Sequence, residues 1–530
     1  MLKLSGWIVD VVAGRWFRGH IEVVDSQIQS IREDPDAPGD GWFTPGLVDA
    51  HVHIESSLLV PTEFARAAVL HGTVASVSDP HEIANVLGSA GVRWMLENSR
   101  HSPFKFRFGA PSCVPATNFE TAGAALSVAD VEALLDTDGI SYLAEVMNFP
   151  AVVQGDPRFQ QMIAAAKTRG LRVDGHAPGL MGEGLAAYAA AGIESDHECA
   201  TLEEGIARCE LGMRVAIREG TAARNFDALW PLLKQYPEQV FLCSDDKHPD
   251  ELMNHHINRL CARAVAKGID PLVVLRAATL NPVRHYCIPA GLLQEGDPAD
   301  IVEWTDLQDF ECRRCWIDGE KVSDHGQSLL PRVNINPVNR FAASACSIED
   351  FQPQDPPALP VIRVLDGQIL TERLERRACD YDRGADILKI AVVNRYRPAP
   401  ISTAWIHGFG LREGAIASSV AHDSHNIVAV GVDDAALARA VNAVIKAQGG
   451  LSVASETSID CLPLPIAGLM SDGECQTVGP AYADLSAKAR QLGSTLQSPF
   501  MALSFMALLV IPKLKISDLG LFDAEAFRLL

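Results

Sequence analysis

The sequence predicts an α/β protein built on a (β/α)8 TIM-like barrel, and three observations predict it. Between residues 44 and 290, apolar strand-like runs alternate with helix-like stretches as eight βα units in about 250 residues, the size and rhythm of that barrel. Short strand-like segments before and after this stretch need partners and can supply them to one another. Histidines and carboxylates stand at the C-terminal ends of the apolar runs, where such a barrel assembles its site.

Residues 1–43 read as short strands at Trp7–Val12, His20–Val24 and Gln27–Ile31, with Gly and Asp at the turns. Residues 291–335 offer Ala299–Trp304 and Arg314–Val322, and the two segments together are expected to form a small β-sandwich. In the barrel, 44–290, the candidate strands end at His51/His53, Val74–Ser78, Phe106–Gly109, Tyr142–Glu145, Leu171–His176, Ile193–His197, Met213–Glu219 and Val240–Asp245. Helical patterns lie between them at Phe64–Leu70, Val128–Leu135, Arg158–Arg169, Gly182–Ala191 and Leu202–Leu211. Residues 330–358, rich in Pro, Asn, Gln and Asp, read as a linker. A last α/β domain is expected over 345–530, with strands at Asp386–Val393 and Ile427–Gly431. Its helix over Asp434–Lys446 is capped by Asp433 and stopped at Gly449-Gly450.

Hydrophobic residues make up 48% of the 530 and charged ones 21%, which excludes a mostly disordered chain. The formal net charge of −22 disfavours nucleic acid and anionic membrane as partners. The N-terminal residues lack a signal-peptide pattern. The late apolar run Met501–Ile511, broken by Ser504 and followed by Pro512, falls short of the roughly 20 residues of a membrane span. Twelve cysteines without framework spacing suit reduced thiols, so a cytoplasmic location is expected, and Cys312-x-x-Cys315 reads as structural.

The chemistry starts at Pro45–Ser57. His51 and His53 are two apart on an apolar strand and share a face. Further along, Glu145 ends the fourth candidate strand, His176 the fifth, His197 the sixth and Asp245 the eighth. Four imidazoles and two carboxylates on one rim suit zinc, manganese or iron. Six ligands exceed what one catalytic ion with an open position takes, so two divalent ions are expected, with Glu145 placed to bridge them. Such a pair lowers the pKa of a shared water toward neutrality and yields a hydroxide nucleophile, and Asp245 is placed to take its proton.

These segments resemble the adenine deaminase family of the amidohydrolase superfamily. The matching stretches include Pro45–Leu58, Ser78–Gly88 (SDPHEIANVLG), Pro111–Ala116, Ala144–Pro150, Asp174–Gly179 and Ser195–Cys199. They continue with Ile217–Asn225 (IREGTAARN), Asp245–Pro249, Ala278–Pro282, Gly408–Leu411, Val420–Asn426 (VAHDSHN) and Leu464–Asp472, so nearly the full length is covered. The resemblance implies hydrolytic removal of the adenine amino group, with manganese as the first candidate metal and iron or zinc as the others. His51, His53 and Asp245 would hold one ion, His176 and His197 the other, with Glu145 bridging. Asp245 would carry the proton, with Glu219 and Asp79 as further catalytic candidates and His81, Glu82 and Ser112 as substrate-binding ones. Asp246 competes with Asp245, which comes first after the apolar run. His422, Asp423 and His425 are candidates to reach the barrel mouth from the last domain. The expected partner is a small purine, and the expected assembly a homo-oligomer.

Cys287-Ile288-Pro289-Ala290 stands where relatives carry glycine-rich wording, which leaves substrate preference open rather than reaction class. The alternative within the superfamily is a hydrolase of a substituted adenine, another purine-like ring or a cyclic amide. Ring-opening relatives usually carry a lysine on the fourth strand, against Glu145 here. His53-Ile54-Glu55 lacks the Pro-Cys-x-x-Cys that cytidine-type zinc deaminases require. No HExxH or GxxxxGK[ST] motif occurs, which removes zincin-type proteases and P-loop triphosphatases.

Overall fold

Eight short apolar segments pair in chain order as parallel strands: Leu47–Val52, Thr73–Ser78, Lys105–Ala110, Ile140–Val146, Arg172–Gly175, Ser195–Asp196, Arg214–Arg218 and Val240–Cys243. The structure is a computed structural model that describes residues 1–352, 359–378 and 380–530. Every residue of the first, second and eighth strands is buried, as expected where helices cover the outer face and side chains fill the interior. The eighth strand returns to the first through the Asp245 amide on the His51 carbonyl (2.9 Å) and the His53 amide on the Asp245 carbonyl (3.3 Å). Asp49 on the first strand reinforces that seam, accepting from the Ser244 amide (2.9 Å) and meeting His256 Nε2 at 2.8 Å. The barrel therefore closes through the residues expected to carry its chemistry.

Local sequence explains the helices between strands. Val128–Leu135 starts at a reciprocal capping box of Ser127 and Asp130, and Pro157–Thr168 has Asp156 as N-cap with proline at the first turn. Gly182–Ala191 stops at Gly192, whose φ of +114° suits glycine.

One ion pair fixes two of the loops that matter. Arg208 and Asp196 are both fully buried, with Nε to Oδ2 at 3.0 Å. Arg208 also donates to the carbonyls of Ala177 (2.7 Å) and Leu180 (2.9 Å), while Asp196 Oδ1 accepts from the Glu198 amide (2.9 Å). Burial alone would raise the Asp196 pKa, but Arg208 and the neighbouring imidazoles hold it below the usual carboxylate range. Asp196→Ala leaves a buried guanidinium without its counter-charge, so denaturant unfolding should show a loss of about 3–5 kcal/mol. A loss under about 1 kcal/mol would make the pair dispensable.

The flanking segments, expected as a small β-sandwich, pair as one continuous sheet of eight strands, running from Gln327–Ser328 through Ile301–Trp304 and Trp42–Pro45 to Leu2–Asp10 and Gln27–Glu33. Trp42–Pro45 joins its two halves, parallel to Leu2–Asp10 and antiparallel to Ile301–Trp304. After a stretch whose described residues hold only a short 3-10 turn at Glu349–Phe351, the chain builds a further eight-stranded sheet between Leu359 and Pro463. Helix Asp434–Ala447 packs on this sheet, with Asp433 capping its first turn and Gln448 ending it in the left-handed region.

A three-stranded sheet at Leu514–Leu529 completes the last domain. Lys515 in it is fully buried, its Nζ donating to the carbonyls of Ile369 (2.7 Å) and Phe505 (2.9 Å). Burial pushes its pKa down to about 7. The unfolded chain keeps that proton up to the ordinary lysine value, near 10.5. The unfolded state thus binds more protons between those values, and stability rises with pH across the window by up to about 1.4 kcal/mol per unit. Urea unfolding at a series of pH values should show that slope, and Lys515→Met should flatten it. Among the described residues no helix is long and apolar enough to cross a membrane.

Candidate metal centre

The six residues at the strand ends meet. His51 lies in the first strand with His53 just beyond it, and their Nε2 atoms stand 3.7 and 3.3 Å from Asp245 Oδ1. Glu145, on the fourth strand, divides its oxygens. Its Oε1 lies 3.5 Å from His53 Nε2, and its Oε2 lies 2.8 Å from His176 Nδ1 and 3.2 Å from His197 Nε2. The His51 and His197 rings stack at 4.0 Å, which closes the ring of donors. All six are buried, none more than 8% exposed.

This donor set fits divalent cations. The His51, His53 and Asp245 ligand atoms lie within 4.8 Å of one another, as do those of His51, Glu145 and His197. Nε2 of His51 and Nε2 of His176 are buried without a hydrogen-bond partner, a cost of about 1–3 kcal/mol each that a bound cation removes. Burial works to raise the pKa of both carboxylates. His176 and His197 nevertheless hold Glu145 well below the usual range, and Arg218 with His53 does the same for Asp245, so both carboxyl groups stay anionic.

Two regions of the chain match family models: residues 42–322 the amidohydrolase family, and residues 367–528 the adenine deaminase C-terminal domain. An adenine deaminase of Sulfurovum sp. (strain NBC37-1) is 51% identical over 99% of this chain and 99% of its own length. The adenine deaminase of Salinibacter ruber is 49% identical over 99% of this chain and 98% of its own, and that of Methanosarcina mazei 46% over 100% and 99%. The chain belongs to the adenine deaminase family. A solved adenosine deaminase from Xanthomonas campestris with bound zinc aligns with 62% of this chain and 94% of its own at 16% identity and a TM-score of 0.47, too distant a likeness to say more.

The cavity beside the cluster draws on both regions that match family models. His81, Glu82, Glu145, Met147, His176, His197 and Asp245 line it from the barrel, and Ile369, His422, Asp423, Phe505 and Leu508 from the C-terminal domain. Glu82, in helix His81–Leu87, is gripped from across the interface: His422 Nδ1 contacts its Oε1 and His425 Nε2 its Oε2. Phe505 stacks on His422 at 5.1 Å. His81 is held from below by Asp79, whose Oδ2 lies 3.1 Å from His81 Nδ1. The other side of the His81 ring faces Asp423 Oδ1 at 3.9 Å.

Asp79 is thus one step back from the cavity. Its carbonyl also receives His53 Nδ1 at 3.2 Å, so it orients two of the rings.

Two of the expected site residues stand elsewhere. Glu219 follows the last residue of the seventh strand, and neighbours on a strand point to opposite faces. Arg218 faces the cavity, and Glu219 turns outward to Arg263 Nη1 at 2.5 Å, beside a separate cavity that Ser244 and His256 also line. Glu219, expected as a catalytic candidate, therefore does not line the cavity beside the cluster. Ser112 donates its hydroxyl to the Glu145 carbonyl (2.8 Å), which braces Glu145, and does not line the cavity.

What the sequence reading passed over is the Glu198–Arg218–Asp245 chain. Arg218 Nη2 meets Glu198 Oε2 at 2.9 Å, and its Nη1 meets Asp245 Oδ2 at 2.7 Å. The alternation Arg218-in, Glu219-out was the available signal. Asp246 also lines the cavity, its carboxylate accepting from Ser56 Oγ.

Proposed function

We propose that the protein hydrolyses adenine to hypoxanthine and ammonia, using two divalent ions, manganese first among them. His51, His53 and Asp245 would hold one ion and His176 with His197 the other, with Glu145 shared between them. A bound pair supplies the Lewis acidity that makes water a nucleophile near neutral pH. Within the chain, the carboxylate of Asp245 accepts a proton from the water that attacks carbon 6 and returns it to the ring nitrogen or to the departing amino group, which leaves as ammonia. Arg218, paired to Oδ2, keeps that carboxylate anionic and leaves Oδ1 to face His51 and His53. His81 and Glu82 present polar atoms to the purine edge, and Phe505 with Leu508 and Ile369 offers the apolar wall for its face.

The free space beside the cluster amounts to about 30 Å³, enough for water or ions rather than for a purine. The base therefore enters as the C-terminal wall of Phe505, Leu508 and His422 moves aside, and the wall's return excludes bulk water.

The observation that carries the reading is the split of the Glu145 oxygens between His53 and the His176–His197 pair, in a chain that matches adenine deaminases end to end. The test is conversion of adenine to hypoxanthine and ammonia by purified protein loaded with manganese, alongside adenosine, followed as inosine, and an adenine substituted on its amino nitrogen, which would yield hypoxanthine and the substituted amine. Turnover confined to the substituted base would replace adenine as substrate, and no deaminated product from any of them, with two ions bound, would overturn the reading.

A further inference from the structure

We infer that the floor of the barrel, on the face away from the metal cluster, carries a binding site for a phosphoryl anion. A cavity of about 430 Å³ lies there, within the roughly 300–1,000 Å³ typical of small-ligand sites. Arg172 and Arg214 are the first residues of the fifth and seventh strands, so they stand at the barrel's N-terminal edge with the sixth strand between them. Arg276 and Arg284 join them from helices Pro271–Ala278 and Leu280–Tyr286. Glu238 is the one acidic residue in the lining. This surplus of positive charge sits in a chain whose net charge is −22.

Only one of the four guanidinium groups has a carboxylate partner. Arg172 has Glu194 at 2.7 Å, and its Nε donates to the His285 carbonyl at 3.0 Å. Arg276 spends its nitrogens on the carbonyls of Val11 (2.7 Å) and Val12 (3.1 Å), which leaves its charge uncompensated. The side chains of Arg214 and Arg284 have no hydrogen bond or ion pair among the described residues.

A second observation points the same way. His285 lines the same cavity and is only 3% exposed, yet neither ring nitrogen has a hydrogen-bond partner. Burial, with Arg214 and Arg172 nearby, pushes its pKa down to about 3, so the ring is neutral and keeps one N–H to donate. Buried donors without acceptors are costly, and a tetrahedral dianion accepts from several forked guanidiniums and an imidazole at once. Phosphate oxygens match the guanidinium fork better than any neutral ligand does.

The test is thermal unfolding of the full-length protein in phosphate-free buffer, titrated with inorganic phosphate and, separately, with adenosine monophosphate. Chloride at matched ionic strength serves as control. The expected result is a saturable rise in Tm. Arg284→Ala, an exposed residue without partners, and Arg214→Met/Arg284→Ala together should raise the half-saturating concentration at least tenfold or so while leaving the anion-free Tm in place. Equal binding of the two anions marks free phosphate as the ligand, tighter binding of the nucleotide marks a phosphorylated metabolite, and either supports the site. A rise no larger than chloride produces, or an undiminished rise in the double variant, overturns it.

Discussion

Glu145→Gln should abolish both the tight binding of two ions and turnover, with kcat/KM down by at least about 10³-fold, or ~4 kcal/mol of transition-state stabilisation. The amide has the shape of the carboxylate, so the change isolates charge and donor pattern. Glu145 offers one oxygen to His53 and the other to His176 and His197, at 2.8 to 3.5 Å. In glutamine one of those atoms becomes an NH₂, which presents hydrogens where a cation needs a lone pair. A neutral group also cannot offset the repulsion of two dications sharing so small a space. Metal content per chain should fall from two ions to one or none, and adenine turnover should fall with it. Circular dichroism and thermal melting of the metal-free protein should stay close to the parent, because the Ser112 hydroxyl still holds the residue 145 carbonyl. A variant that keeps two ions and full activity would remove the bridging role.

The barrel and the cluster at its strand ends were legible because both depend on local pattern. Strands buried on both faces read as apolar runs, and a polar residue ending such a run has few reasons to be there. His51, His53, Glu145, His176, His197 and Asp245 were found that way, and the structure brings all six together. What stayed hidden depends on contacts between distant parts of the chain. His425 was expected at the barrel mouth, yet nothing in the local sequence of Glu82 says that this ring, 343 residues later, closes on it. Nor does the segment around Phe505 announce a wall of the cavity. Glu219 was misread through a single step of strand parity: the strand ends at Arg218, and one residue decides between facing Asp245 and facing Arg263. Ser112 stands off the cavity for a different reason, since its hydroxyl serves the Glu145 carbonyl.

Asp245→Asn should keep the fold and at least one ion yet lose about 10²–10⁴ in kcat, the range that a positioned acid–base group contributes. Three features keep the substitution local. Asp245 sits at φ +55°, a conformation that asparagine tolerates as well as aspartate, so the turn after the eighth strand survives. Arg218 retains Glu198 as a full counter-charge, so no guanidinium is stranded when the carboxylate becomes an amide. The amide oxygen can still face His51 and His53, or a metal, from the Oδ1 position. What the amide cannot do is accept a proton and release it within one turnover.

Asp246→Asn is the control that separates the two neighbours. Its carboxylate is engaged with Ser56, and it should cost less than tenfold or so in kcat. Glu219→Gln, on the outer face with Arg263, should stay in the same small range while lowering stability modestly. If Asp246→Asn proved the more damaging of the adjacent pair, proton transfer would move to Asp246, and Asp245 would be left as a ligand alone.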